Sequence, residues 1–215
     1  MTNSKKTVSP AQVARMAGIW WLAFILVGPV SYLVVDGKLL VAGDATTTIS
    51  NINSNVALFW LGVAAFLAGY TFFIFLGKTL CKLWGPVDSK LTKWMMGLVI
   101  AGTALVIVGK IAEIAGANVS NIEDAACLFD LRTNIEMAGE LFWGLWLIPL
   151  VILIFKSTLI PKIIGGALIG TVVSHLTIFV GFFIGGVALD TNPIVLLLGL
   201  GEIIITLWLL IKGVK

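Results

Sequence analysis

Apolar residues run along this chain in blocks of about twenty, separated by short polar stretches. A bilayer core about 30 Å thick takes roughly 20 helical residues to cross. Six segments meet that length: 16–35, 56–77, 94–115, 134–155, 163–186 and 193–211. The breaks between them carry turn and cap residues. Asp36-Gly37 closes the first segment, and Gly85-Pro86 followed by Asp88-Ser89 divides the second from the third. A polar, acidic stretch runs from Asn118 to Asp130, Pro161 opens the fifth segment, and Asp190-Thr191-Asn192-Pro193 opens the sixth.

Asp44 is a good N-cap for the residues that follow, and Ile49, Ile52 and Val56 fall at helical spacing. The second helix is therefore expected to extend outward from about residue 44, either as one helix to Leu80 or with a kink near 53–55. Pro29 and Pro149 fall inside segments and should kink or loosen them. The predicted fold class is all-α: a polytopic membrane protein with a six-transmembrane-helix bundle in one integral membrane domain, 1–215.

Composition agrees. The chain is 59% hydrophobic and 12% charged, with a mean hydropathy of +1.07, where soluble domains average about 45–50% and about 25%. A soluble fold of this size could not hide that much apolar surface, so the lipid bilayer is the expected partner. The net charge of +3 is too small to argue for nucleic acid.

The basic residues instead report orientation. Lys5, Lys6 and Arg15 precede the first segment, Lys78, Lys82, Lys90 and Lys93 flank the second connection, Lys156 and Lys162 the fourth, and Lys212 and Lys215 the C-terminus. The opposite side holds Lys38 and Arg132 among many acids. Cytoplasmic connections are enriched in Lys and Arg, which predicts a cell (inner or plasma) membrane location with both termini cytoplasmic. Cys81 and Cys127 then fall on opposite sides, so they cannot pair, and they fit no metal or redox spacing.

Ionisable groups inside a span cost several kcal/mol if they face lipid, so they are functional candidates. Counting at 1.5 Å per residue from the cytoplasmic lysines, Lys110 lies about 25 Å, Glu140 about 24 Å, and Glu113 and Glu136 about 30 Å up. Arg132, Glu136 and Glu140 follow i, i+4 spacing on one face. An outer charged cluster of Lys110, Glu113, Arg132, Glu136 and Glu140 is expected, either as an ion-pair clasp between two helices or as the mouth of a cavity.

Deeper, His175 lies about 20 Å from Lys162 and Glu202 about 15 Å from Lys212. The expected midplane polar site is Glu202, His175, Thr171 and Ser174. There Glu202 either carries a proton or pairs with His175, which makes a proton-titrating pair or a packing hydrogen bond. A lone His and Glu make no metal site. Gly166, Gly170 and Ser174 form a small-residue stripe suited to close helix packing. Trp60, Trp84, Trp94 and Trp143 are placed as an interfacial belt, and Trp20, Trp21, Trp146 and Trp208 as packing residues. Enzymatic signatures such as GxSxG, HExxH or a phosphate-binding glycine loop are absent, and no cofactor is expected.

The strings AQVARMAGIWWL (11–22), GKLLVAGDATTTISNI (37–52), GPVDSKL (85–91), LFWGLWLIPLVILIFKSTLIPKIIG (141–165) and GEIIITLWLLIKGVK (201–215) occur in order. In these the chain resembles, end to end, a multi-pass prokaryotic membrane family known as domain of unknown function 4386. The resemblance implies six spans and an acidic residue at position 202, but no activity. His175, Arg132 and Trp60 stand where that family more often has tyrosine, histidine and arginine. Three functional readings follow: binding or transport of a small solute or proton, a non-catalytic scaffold or accessory subunit with structural charges, and, third, an intramembrane enzyme. The transport reading requires a cavity that reaches Glu202; the scaffold reading requires a closed bundle with every charge paired.

Overall fold

The structure, a computed structural model, describes residues 9–214. Lys5, Lys6 and Lys215, used above for orientation, lie outside the described residues. All regular elements among the described residues are helical. Six spans are long and apolar enough to cross a membrane: Pro10–Leu39, Val56–Trp84, Ser89–Gly116, Ile122–Lys156, Lys162–Phe183 and Pro193–Ile211. Their outer faces are apolar, with Leu26, Leu61, Ile100 and Ile163 each more than half exposed. Water would not tolerate so extended an apolar surface, whereas lipid supplies its solvent.

Local chemistry explains where the helices start and break. Ser9 and Gln12 form a reciprocal capping box ahead of the first span, and Pro10 occupies its first turn. The Asp36-Gly37 boundary does not end this span. Pro29 removes a donor from the ladder, and the backbone continues as a π-helical stretch, Val30–Asp36, then Gly37–Leu39.

The extension of the second helix is present as Ala45–Ser54, capped by Asp44, whose Oδ1 accepts from Thr47 N at 2.9 Å. It is not continuous with the span. Asn55 breaks the helix (φ −137°, ψ 44°), and its side-chain amide donates to Asn51 O at 3.0 Å, a bond that competes with helical continuation. The fourth span begins at Ile122, inside the stretch read as a polar connection. Asn121 accepts from Glu123 N at 2.8 Å there, and two acids sit in the first turn. The same span is interrupted at Trp146, three residues before Pro149. The fifth ends at Phe183 rather than 186, and the sixth is broken between Leu198 and Gly201.

Glycines set how closely the spans approach. A Cβ on Gly69 would stand 3.0 Å from the Gly28 Cα, so the first and second spans touch backbone to backbone. A Cβ on Gly201 would meet the Ala167 carbonyl oxygen at 2.4 Å, fixing the sixth span on the fifth. Gly166, on the predicted small-residue stripe, faces nothing within 4 Å.

The main core is an aromatic and aliphatic mass that includes Trp21, Phe73, Trp84, Trp146, Leu150 and Leu209. It fills the half of the bundle nearest the second and fourth connections. Trp84 is fully buried, with Nε1 donating to Ser157 Oγ at 3.3 Å, so it is not a belt residue. Trp60 and Trp94 are exposed. At this end Lys156 Nζ donates to Asp88 Oδ2 at 2.9 Å, joining the two connections. That ammonium, followed by the Leu91 backbone N–H, holds the Asp88 carboxyl below the usual range.

Candidate functional site

The polar side chains gather in the other half of the bundle, nearest the first, third and fifth connections. The first, third and fourth spans meet there around Arg132. Its Nε donates to Glu113 Oε2 at 3.0 Å and its Nη2 donates to Asp36 Oδ2, while Nη2 also forms an ion pair with Glu136 Oε1 at 2.8 Å. Lys110 Nζ donates to Glu113 Oε2 at 2.6 Å and stands 3.7 Å from Asp36 Oδ2. Lys110 and Glu113 are 3% and 2% exposed, so this is a buried network and not a surface pair. The structure thus brings Lys110, Glu113, Arg132 and Glu136 together and adds Asp36, which the expected cluster did not include.

Oxygens of Asp36, Glu113 and Glu136 lie within 4.8 Å of one another, near enough in principle to hold a metal ion. Arg132 already forms ion pairs with all three carboxylates and hydrogen-bonds two of them, and Lys110 bonds Glu113, so the cations that balance these acids belong to the chain itself. The Lys110 ammonium also lies over the Phe66 and Tyr32 rings, 5.1 and 6.0 Å from their centroids.

Glu140 departs from the expected outer cluster. One turn deeper than Glu136, its Oε2 lies 2.6 Å from His175 Nδ1 on the fifth span. His175 is therefore the partner of Glu140, and the expected His175–Glu202 hydrogen bond is not formed. Thr171 and Ser174 serve packing: Thr171 Oγ1 donates to Leu198 O at 3.2 Å and Ser174 Oγ to Val195 O at 2.8 Å. Both hydroxyls hold the broken sixth span against the fifth.

Between these groups lies a cavity of about 440 Å³, within the usual range of small-molecule sites. Four carboxylates line it, those of Glu136, Glu140, Asp190 and Glu202. Its walls are aromatic, from Phe24, Tyr32, Tyr70 and Trp143, so Trp143 is a cavity residue and not part of an interfacial belt. The Tyr70 and Trp143 rings stack at 5.6 Å with planes 20° apart, and the Tyr32 and Tyr70 hydroxyls are 3.2 Å apart. Among the described residues no lysine, arginine or histidine lines the cavity. Among the described residues Glu202 and Asp190 have no cationic side chain within 4 Å, unlike Glu136 and Glu140. A second cavity of about 320 Å³ reaches the other side of the ion network, where Asp36 and Arg132 form part of its lining.

The helix irregularities border the main cavity. Gly28, Pro29 and Tyr32 line it at the start of the π-helical stretch, the Gly199–Leu200 interruption stands next to Glu202, and the Trp146 interruption follows Trp143. Broken helices at membrane depth are tolerated where the backbone is buried in protein or lines a cavity.

A family model for a domain of unknown function, DUF4386, matches residues 16–213. The chain belongs to the DUF4386 family. No curated protein and no solved structure matches it. Membership covers nearly the whole chain, and it names no reaction or ligand.

Proposed function

We propose that this DUF4386 protein binds a small solute or a proton in the acidic cavity and passes it across the membrane. The observation that carries this reading is the cavity itself, which extends from Asp190, in the connection between the fifth and sixth spans, to Glu202 inside the sixth. A scaffold would have no use for an internal space lined by four carboxylates, two of which, Asp190 and Glu202, have no cationic partner among the described residues. Beyond Glu202, Trp21, Trp146, Leu150 and Leu209 are fully buried and close the path toward the other end. The arrangement is that of a site open to one side at a time, with helix breaks at the level where movement would occur. With the basic connections in the cytoplasm, both termini face inward, the protein lies in the cell membrane, and the cavity opens outward.

Labelling tests the reading. In a chain carrying Cys81→Ser and Cys127→Ser, the cavity-lining substitutions Leu33→Cys and Met137→Cys should react with a charged, membrane-impermeant thiol reagent, and Leu150→Cys should not. In liposomes loaded with a pH dye, Glu202→Gln should remove proton flux that the unmodified chain supports. Cavity positions as inert as Leu150→Cys would favour the closed scaffold.

A further inference from the structure

We infer that the cavity is built for a small monovalent organic cation, an ammonium group attached to an apolar or aromatic body. This rests on the reading of the cavity as a solute site and specifies what enters it.

Charge provides the first argument. Four carboxylic acids line the cavity beside the phenols of Tyr32 and Tyr70, and the nearby cations Lys110, Arg132 and His175 stand outside the lining. An anion would meet no counter-charge there, and a neutral solute would leave acids desolvated without a partner.

The carboxylates are not equivalent. Glu136 is held by Arg132 at 2.8 Å and Glu140 by His175 at 2.6 Å, while Glu202 has neither kind of partner. Asp190 has no cationic partner either among the described residues, but it is exposed in the connection between the fifth and sixth spans; Glu202 is the one unpaired acid of the cavity within a span, which favours a monovalent ligand over a divalent one.

The walls provide the second argument, independent of charge. The stacked Tyr70–Trp143 pair and the rings of Phe24 and Tyr32 enclose the space between Glu136 and Glu202. Aromatic faces attract cations that have shed water, and they also accommodate the apolar body that carries them. The chain already seats one ammonium this way, Lys110 over Phe66 and Tyr32, and Tyr32 is shared with the cavity wall. A bare inorganic cation would find two of the four carboxylates already engaged by Arg132 and His175 and walls that are largely aromatic, a poor exchange for its hydration shell.

The experiment uses the full chain in nanodiscs of neutral phosphatidylcholine, with heat from empty discs subtracted in titration calorimetry. Three solutes of similar shape are compared: trimethylphenylammonium, its uncharged isostere tert-butylbenzene, and benzenesulfonate. Trimethylphenylammonium should bind saturably and at least about tenfold more tightly than either of the others. Glu202→Gln and Trp143→Ala should each weaken it by about tenfold or more, whereas Trp143→Phe, which keeps a ring, should stay within about threefold. The comparison of solutes needs no variant, so a misfolded Glu202→Gln does not remove the test.

Equal binding of the cation and its uncharged isostere, or no binding of the cation to the unmodified chain, overturns the inference. If tert-butylbenzene or benzenesulfonate saturates the site instead, the organic-cation assignment falls and the solute-site reading stands. If none of the three binds and Leu33→Cys and Met137→Cys resist labelling, both fall together.

Discussion

Replacing Arg132 by Met would test whether the buried network behaves as one electrostatic unit. Arg132 makes three of the five ion pairs in the network, to Asp36 and Glu113 on other spans and to Glu136 on its own. With all groups ionised, three carboxylates and two cations give 2 − 3 = −1, and removal of Arg132 takes the network to −2. Lys110 would then serve Glu113 at 2.6 Å and Asp36 at 3.7 Å, with Glu136 left without a cation in contact. Breaking a buried pair by deleting one partner costs about 3–5 kcal/mol, mostly for the charge left behind. The expected loss for Arg132→Met is in that range. If desolvated charge is the cause, removing the stranded acids should restore stability. The triple variant Arg132→Met, Asp36→Asn, Glu136→Gln leaves the neutral Lys110–Glu113 pair, and it should recover at least half of the loss. Reversible unfolding in mixed micelles, followed by tryptophan fluorescence, gives both values. The reasoning is refuted if Arg132→Met loses less than about 1 kcal/mol, or if the triple variant is no more stable than the single.

Other expectations rest on separate observations. Gly201→Ala should destabilise by about 1–3 kcal/mol in the same unfolding assay, because the added carbon would press on Ala167 O; Gly166→Ala, with nothing within 4 Å, should be tolerated. An impermeant maleimide applied to intact cells should label the exposed Cys127 and spare Cys81; labelling only after lysis would reverse the proposed orientation. The lowered Asp88 carboxyl adds stability above its unfolded value, and this is lost as pH falls through and below about 4. Asp88→Asn should flatten that part of an acid titration of thermal stability, and an unchanged slope would remove the Lys156 contact as its cause.

The spans were legible because twenty apolar residues between polar punctuation leave few alternatives in lipid. Asp36 was misjudged for a physical reason. Asp-Gly normally closes a helix, but here Arg132 on a distant span neutralises the carboxylate, and the helix runs on to Leu39. Sequence carries no direct signal for a contact 96 residues away. The partner of His175 was more accessible. Counting placed Glu140 about 4 Å from the His175 level and Glu202 about 5 Å from it, on opposite sides. Counts of that kind cannot say which way a side chain points. The continuous helix read from Asp44 to Leu80 is broken at Asn55, where the alternative of a kink near 53–55 lay, because an asparagine amide readily takes a backbone carbonyl. The Trp143 wall was hidden because an aromatic near a span end suits both a lipid interface and a cavity.

The contact between Gly28 and Gly69 acts as a rivet. Two backbones pressed together with no side chain between them cannot slide without one climbing over the other, but they can rotate about the point where they meet. That point sits on the cavity wall, immediately before Pro29 and the π-helical turn. Beyond that contact the first span runs on to Asp36 near its tip, and there Arg132 pins it to the fourth span.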